Sequence, residues 1–101
     1  MIRHIVLFRF KDHLSNEVKE QVRNQFREDI LALKTQLSII REIEVGFNEN
    51  EAEQWDICLN GLFDTIDDVK EYSVFPNHQA AAAKLKPYLQ GRSCVDYVTM
   101  L

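Results

Sequence analysis

Near its start the chain reads Ile2-Arg-His-Ile-Val-Leu-Phe-Arg-Phe-Lys11, with apolar residues at both odd and even positions and His4 and Arg9 among the polar exceptions. Successive side chains of a strand point to opposite faces of a sheet, so this run predicts a strand that is apolar on both faces. Residues 55–63 have the same property. An antiparallel sheet with one solvated face alternates apolar and polar residues instead. The sequence therefore predicts a sheet that needs cover on both faces.

The rest of the chain predicts the order strand, helix, strand, strand, helix, strand. Ser15 or Asn16 caps the first helix, Thr65 caps a short second one and Pro76 restarts it. The predicted elements are strand 2–11, a helix of roughly six turns ending near residue 37, strands 40–47 and 55–63, a helical segment 65–85 and strand 93–101. This order predicts a ferredoxin-like α+β fold, in which helices cover one face of a four-stranded antiparallel sheet.

Helices on one face leave the second apolar face without cover. The simplest cover is a second copy of the chain, sheet against sheet, in a two-fold homodimer. An exposed apolar patch of this size on a monomer would favour aggregation. A monomer with a partly apolar open face is the alternative.

Composition limits the class of protein. The 101 residues are predicted to form one domain over 1–101, and 46% hydrophobic residues suffice for a core. A net charge of −4 argues against a nucleic-acid partner. The sequence shows no signal-peptide layout and no membrane-spanning stretch, so we expect a cytoplasmic protein without a membrane partner. Cys58 and Cys94 lie in predicted strands outside any CxxC motif, which predicts reduced core thiols.

The candidate site residues are His4 of the first strand and residues of two motifs, Tyr72-Ser-Val-Phe-Pro-Asn-His78 and Cys94-Val-Asp-Tyr97. A helix start disfavours imidazolium, so His78 is expected to be neutral, either as a general base or as a cap of the helix. Asp96 is predicted to bond His4, which would orient a catalytic group or lock the fold. Tyr72 is either a polarising hydroxyl or an edge of the core.

The spacing of His4, His78 and Asp96 carries no metal-ligand signature. We therefore expect neither a metal nor a cofactor.

Four blocks of sequence carry a family resemblance: residues 4–11, Trp55-Asp-Ile-Cys58 with Phe63, residues 72–79 and Val95-Asp-Tyr97. Over its whole length the chain resembles the stress-responsive A/B barrel (Dabb) domain family, a branch of the dimeric α+β barrel superfamily. The resemblance implies a homodimer with a pocket between sheet and helices in each subunit.

One branch of that family contains plant polyketide cyclases, which close β-polyketides by aldol chemistry. His4, Tyr72, His78 and Asp96 match the cyclase pattern. The chain departs from it at Phe26, which replaces a tyrosine, at Phe75, which replaces a histidine, and near Asp56 or Ile57, where a second pocket histidine would fall. The chain therefore has the histidine, tyrosine and aspartate residues of the cyclase pattern but lacks some of its other residues.

Two functions follow as hypotheses, and whether the protein is an enzyme stays open. The first is a homodimer that binds a small apolar, phenolic or β-keto molecule, with His78 as base, Tyr72 as polarising hydroxyl, and His4 with Asp96 as support. The second is a non-catalytic, stress-associated ligand-binding or structural dimer. A haem-degrading or quinol-oxidising monooxygenase is a weaker third, because the chain lacks a matching constellation of residues.

Overall fold

The computed structural model describes residues 1–100. Its elements are the strands β1 (Ile2–Phe10), β2 (Glu42–Phe47), β3 (Ile57–Phe63) and β4 (Leu89–Val98), and the helices α1 (Asn16–Ala32), α2 (Ile66–Val74) and α3 (Pro76–Leu85). The four strands form one antiparallel sheet in the order β2-β3-β1-β4. This is the predicted ferredoxin-like α+β fold. Within the described chain, no helix is both long and apolar enough to cross a membrane.

The three predicted helix starts are confirmed by their local chemistry. The Ser15 hydroxyl accepts a hydrogen bond from the backbone N–H of Val18 at 3.2 Å, which caps α1. The Thr65 hydroxyl caps α2 by accepting from the N–H of Asp68 at 3.1 Å. Pro76 occupies the first turn of α3, where its missing N–H costs no helical bond.

The end of α1 and the start of β4 differ from the prediction. The helix stops at Ala32 after 17 residues, and a 3-10 turn over Leu33–Thr35 follows it, with the Thr35 hydroxyl bonded to the Ala32 carbonyl. β4 begins at Leu89 instead of residue 93, because its pairing with β1 continues to the end of that strand. The predicted continuation of β4 to Leu101 is wrong for residues 99 and 100. Leu101 lies outside the described residues.

The inner face of the sheet packs against the helices. His4, Val6 and Phe8 of β1 point inward and are all buried. Phe26 and Ile30 of α1 pack on them, as do other buried apolar residues of α2 and α3. This layer is the hydrophobic core, and His4 is the buried polar residue within it.

No helix within residues 1–100 covers the outer face of the sheet. It carries apolar side chains on three strands, among them Leu7 of β1, Leu62 of β3 and, on β4, Val95 and Tyr97. Val95 and Tyr97 are 53% and 47% exposed. The two-sided apolar character predicted for β1 and β3 is therefore present in the structure.

Trp55 lies on this outer face, just before β3. Its ring lies over Gly91 of β4, where an added Cβ would be 3.6 Å from the indole carbons. Beside it is an outer hollow of about 340 Å³, lined by Leu7, Gly46, Phe47, Asn48, Glu53, Trp55, Ile57 and Cys58. Trp55 thus spans the sheet from the start of β3 to the edge strand.

Candidate functional site

A small cavity lies between the inner face of the sheet and the helices. Its volume is about 60 Å³, which is enough for a few water molecules or part of a small ligand. Its walls are mostly apolar, with four polar or charged side chains among them. The lining residues are His4, Val6, Phe8, Phe26, Leu59, Ser73, His78, Ala82 and Arg92.

His4 and Asp96 face each other on neighbouring strands. The antiparallel register pairs them directly, and His4 Nδ1 lies 2.5 Å from Asp96 Oδ1. A carboxylate only accepts hydrogen bonds, so Nδ1 carries the proton and donates it. In the neutral imidazole this leaves the lone pair on Nε2. The predicted His4–Asp96 contact is present, and it fixes the tautomer of His4.

His78 stands in the first turn of α3. Its Nδ1 donates a hydrogen bond to the backbone carbonyl of Ser73, at 3.1 Å, near the end of α2. Burial lowers the pKa of His78, although the Ser73 carbonyl partly opposes that shift. The ring is therefore neutral at neutral pH, with its lone pair on Nε2. His78 also ties α3 to α2, although it does not cap α3, and its role as a general base stays a prediction.

Tyr72 packs against both histidines. Its ring centroid lies 4.4 Å from that of His78 and 5.9 Å from that of His4. The side chain is fully buried, and its hydroxyl has no hydrogen-bond partner among residues 1–100. Burial raises the pKa of this phenol well above its ordinary value. Tyr72 is not one of the residues that line the cavity, so it stands behind the histidines.

Cys94 is a neighbour of this site that the sequence reasoning missed. Its Sγ lies 3.8 Å from His4 Nδ1 and 3.9 Å from Asp96 Oδ2. The expectation of a core thiol is wrong for Cys94, which is exposed because β4 is the edge strand of the sheet. Partial burial of the sulfur and the charge of Asp96 raise the pKa of this thiol, although the nearby Arg92 partly opposes the shift, so the thiol stays protonated at neutral pH. Its position two residues before Asp96, on the same face of a strand, was the available signal.

One set of potential metal ligands lies at this place. The donor atoms of His4, Cys94 and Asp96 lie within 4.8 Å of one another. These residue types are ligands that zinc accepts. The three residues considered from the sequence as possible metal ligands were His4, His78 and Asp96, so Cys94 replaces His78 in the observed set. The His4 nitrogen of the trio is already engaged by Asp96, so a hydrogen-bonded cluster is the arrangement observed.

Arg92 is the second neighbour that the sequence reasoning missed. It lies on β4 opposite Phe8, is exposed, and still lines the cavity with both histidines. No carboxylate within residues 1–100 forms an ion pair with it. Alternation along β4 puts Arg92, Cys94 and Asp96 on one face, and this pattern could have revealed all three residues.

The fold and the histidine–carboxylate pair beside an internal cavity define a small ferredoxin-like protein with an enclosed polar site. The chain matches the stress responsive A/B barrel domain over residues 2–99, and it belongs to that Dabb family. No curated protein is similar enough to be matched to it by sequence.

Solved structures show the same fold. A dimeric protein of unknown function with a ferredoxin-like fold from Bacteroides fragilis is 47% identical, with a TM-score of 0.92, over 95% of this chain and 93% of that one. A dimeric ferredoxin-like protein of unknown function from Thermobifida fusca is 27% identical, with a TM-score of 0.80, over 97% of this chain and 90% of that one. A hydroxynitrile lyase from Passiflora edulis has a TM-score of 0.75 at 19% identity, over 99% of this chain and 94% of that one.

Proposed function

We propose that this Dabb protein is a homodimer that binds a small phenolic or β-keto molecule in the cavity and performs acid–base chemistry on it. The observation that carries the proposal is that His4 and His78 line one cavity, each with Nδ1 held by an acceptor. Each ring then keeps a basic Nε2. A neutral imidazole is a suitable general base near neutral pH.

His78 is the proposed base. It takes a proton from a C–H bond next to a carbonyl, the electron pair moves onto the carbonyl oxygen, and an enolate forms. The protonated His78 returns the proton to carbon or to oxygen, which completes enolisation without any other reactant. His4 held by Asp96 is the proposed support. Tyr72 is the proposed polarising hydroxyl, and this role requires the hydroxyl, which does not line the cavity, to turn toward the ligand when the ligand binds. The lack of a hydrogen-bond partner within residues 1–100 supports the role, because a buried hydroxyl without a partner is costly to keep.

The dimer is part of the proposal. The apolar outer face of the sheet supports it, as does the description of two similar structures as dimeric proteins. A cytoplasmic location is proposed because Cys58 and Cys94 are both free thiols. The net charge of −4 supports a small-molecule partner over nucleic acid.

Proton exchange tests the chemistry directly. Methyl acetoacetate is placed in D₂O with the protein, and loss of its C2 proton signal is followed by NMR. The wild type is expected to accelerate this loss, and His78→Ala to reduce the acceleration by about 100-fold or more, the range typical for a general base. His13→Ala removes a histidine from an exposed turn and is the matched control.

His13→Ala is expected to melt near the wild-type temperature. His78→Ala is expected to stay folded and to melt somewhat lower, because it loses the bond to Ser73. Unchanged exchange in His78→Ala would contradict the proposed role. Absence of any acceleration by the wild type would favour the second candidate, a non-catalytic ligand-binding or structural dimer.

The second candidate has its own support. The cavity holds only about 60 Å³, and the direct His4–Asp96 bond is compatible with a lock between β1 and β4. Removing the Asp96 carboxylate would leave the buried His4 ring without its partner. Under this alternative, Asp96→Asn lowers the melting temperature and changes no exchange rate.

A further inference from the structure

We propose that the ligand of this cavity carries a carboxylate and that Arg92 binds it. The inference rests on the proposed function, because it concerns the same cavity, and it narrows the ligand from β-keto compounds in general to β-keto acids.

Arg92 stands at the solvent side of the cavity. It is exposed, whereas His4, on the same wall, is 5% exposed. Phe8 of β1, which pairs with Arg92 in the sheet, is buried beside it. A molecule that enters past Arg92 therefore meets a guanidinium before it reaches the buried ring of His4.

Arg92 differs from every other arginine of the chain in its partners. Arg3, Arg9 and Arg41 lie within ion-pair distance of Glu42, Asp12 and Asp64. Arg23 and Arg27 lie over the ring of Phe47. Within the described part of the chain, Arg92 has neither a carboxylate nor an aromatic ring as its partner. Asp96, the acidic residue on the same face of β4, is taken by His4.

A guanidinium that lines a cavity and has no carboxylate partner within residues 1–100 suits a carboxylate ligand. Its planar fork binds both carboxylate oxygens at once, and such charge-assisted pairs are among the strong hydrogen bonds in proteins. In a β-keto acid the acidic carbon is bonded directly to the carboxylate carbon. A carboxylate held by Arg92 therefore leaves that carbon next to it, inside a cavity that His78 also lines.

The positive charge of Arg92 also suits the base. Burial is the largest cause of the lowered pKa of His78, and the charge of Arg92 is one of the nearby charges that lower it further. It therefore helps to keep His78 neutral while a negatively charged ligand binds.

A pair of probes that differ only in charge tests the inference. Acetoacetate and methyl acetoacetate are each titrated into the ¹⁵N-labelled full chain, with binding followed from amide shifts around the cavity. Acetoacetate is expected to bind the wild type about tenfold more tightly than the ester, and more weakly as salt is added.

Arg92→Gln is expected to weaken acetoacetate binding by about tenfold and to leave ester binding unchanged. Arg92→Lys, which keeps the charge but loses the planar fork, should restore part of the preference. Arg9→Gln removes a guanidinium paired with Asp12 and is the matched control; it should change neither affinity.

Equal affinity of the wild type for the two probes would overturn the inference, as would an equal loss for both in Arg92→Gln. The proposed function would survive either result if the ester still binds and exchanges its C2 proton. Binding of neither probe would overturn both.

Discussion

Each cavity histidine owes its tautomer to one neighbouring acceptor, a carboxylate for His4 and the Ser73 carbonyl for His78. The first contact was predictable, because the order of strands in a ferredoxin-like sheet places the first strand beside the last. The second was not, because it depends on how closely α3 folds back on α2 after Phe75. Sequence alone gives the residue types there but not the distance.

The pH dependence of stability should report the burial of His78. Its pKa is lowered in the folded chain, so the unfolded chain takes up this proton at a higher pH. The unfolded state then binds more protons, and stability falls as pH drops below about 6.5, the ordinary pKa of histidine. Thermal melts are recorded between about pH 7.5 and about pH 5, a range that brackets the ordinary pKa of histidine. Over this range His78→Gln should lose less stability than the wild type. His13→Gln serves as control, and equal losses in all three proteins would contradict the prediction.

Tyr72→Phe should raise stability and lower activity together. The variant removes a buried hydroxyl that has no partner within residues 1–100, which should stabilise the fold by about 1 kcal/mol. For a domain of this size that corresponds to a melting temperature roughly 4–8 °C higher. Proton exchange of methyl acetoacetate should slow if the hydroxyl polarises a ligand. A lower melting temperature would mean that the hydroxyl has a partner in solution, and an unchanged rate would remove its proposed role.

At the level of elements, two residues of β3 determine the space around His4 on the neighbouring strand. Gly61 pairs with His4 in the sheet, and the ring of Phe63 folds back over the glycine. That ring also stands edge-on to His4, with 6.1 Å between the centroids. A side chain at position 61 would therefore push Phe63 against the site.

Gly61→Ala should be destabilising. An added Cβ would lie 2.8 Å from Phe63 Cε2, so the ring must move within a packed core, at a cost of about 1–3 kcal/mol. Gly46→Ala is the matched control in β2, because a Cβ there meets nothing within 4 Å. Chemical denaturation of both variants measures the difference. Equal stability of the two would show that Phe63 adapts without strain.

Local signals predicted the helix starts well, and tertiary pairing set the boundaries that they missed. Ser15, Thr65 and Pro76 act within one turn of their own helices, so their effect can be read from sequence. The start of β4 depends on a partner strand some eighty residues away in the chain. Gly91 lies inside that strand although glycine favours a break, and the Trp55 ring fills the space above it.

For the whole molecule, the decisive feature is an apolar sheet face that the helices leave open. The sequence predicted it from the apolar residues on both faces of the strands. The same reasoning could not give the size of the inner cavity, because that depends on how far the helices extend over the edge strand. The alternation along β4 did contain the signal for Arg92 and Cys94, which share a face with Asp96.

Val95→Glu should prevent the proposed dimer without harming the fold. Val95 is 53% exposed on the outer face, so a charge there costs the monomer little but would be buried in a sheet-to-sheet contact. Light scattering after gel filtration should show a fall from dimer to monomer mass. Val74→Glu changes an exposed valine of α2, which is 65% exposed, and should leave the mass unchanged. A dimer that persists in Val95→Glu would argue for association through another surface.

The position of Trp55 gives the protein a built-in optical probe. It is the single tryptophan of the chain, and its indole borders the outer hollow on the open face of the sheet. A second copy placed over that face would exclude water from the indole, and its fluorescence would shift to shorter wavelength. Dimer assembly can therefore be followed from this fluorescence as the unlabelled protein is diluted. Entry of the proposed ligand takes place on the opposite face of the sheet and can be monitored separately.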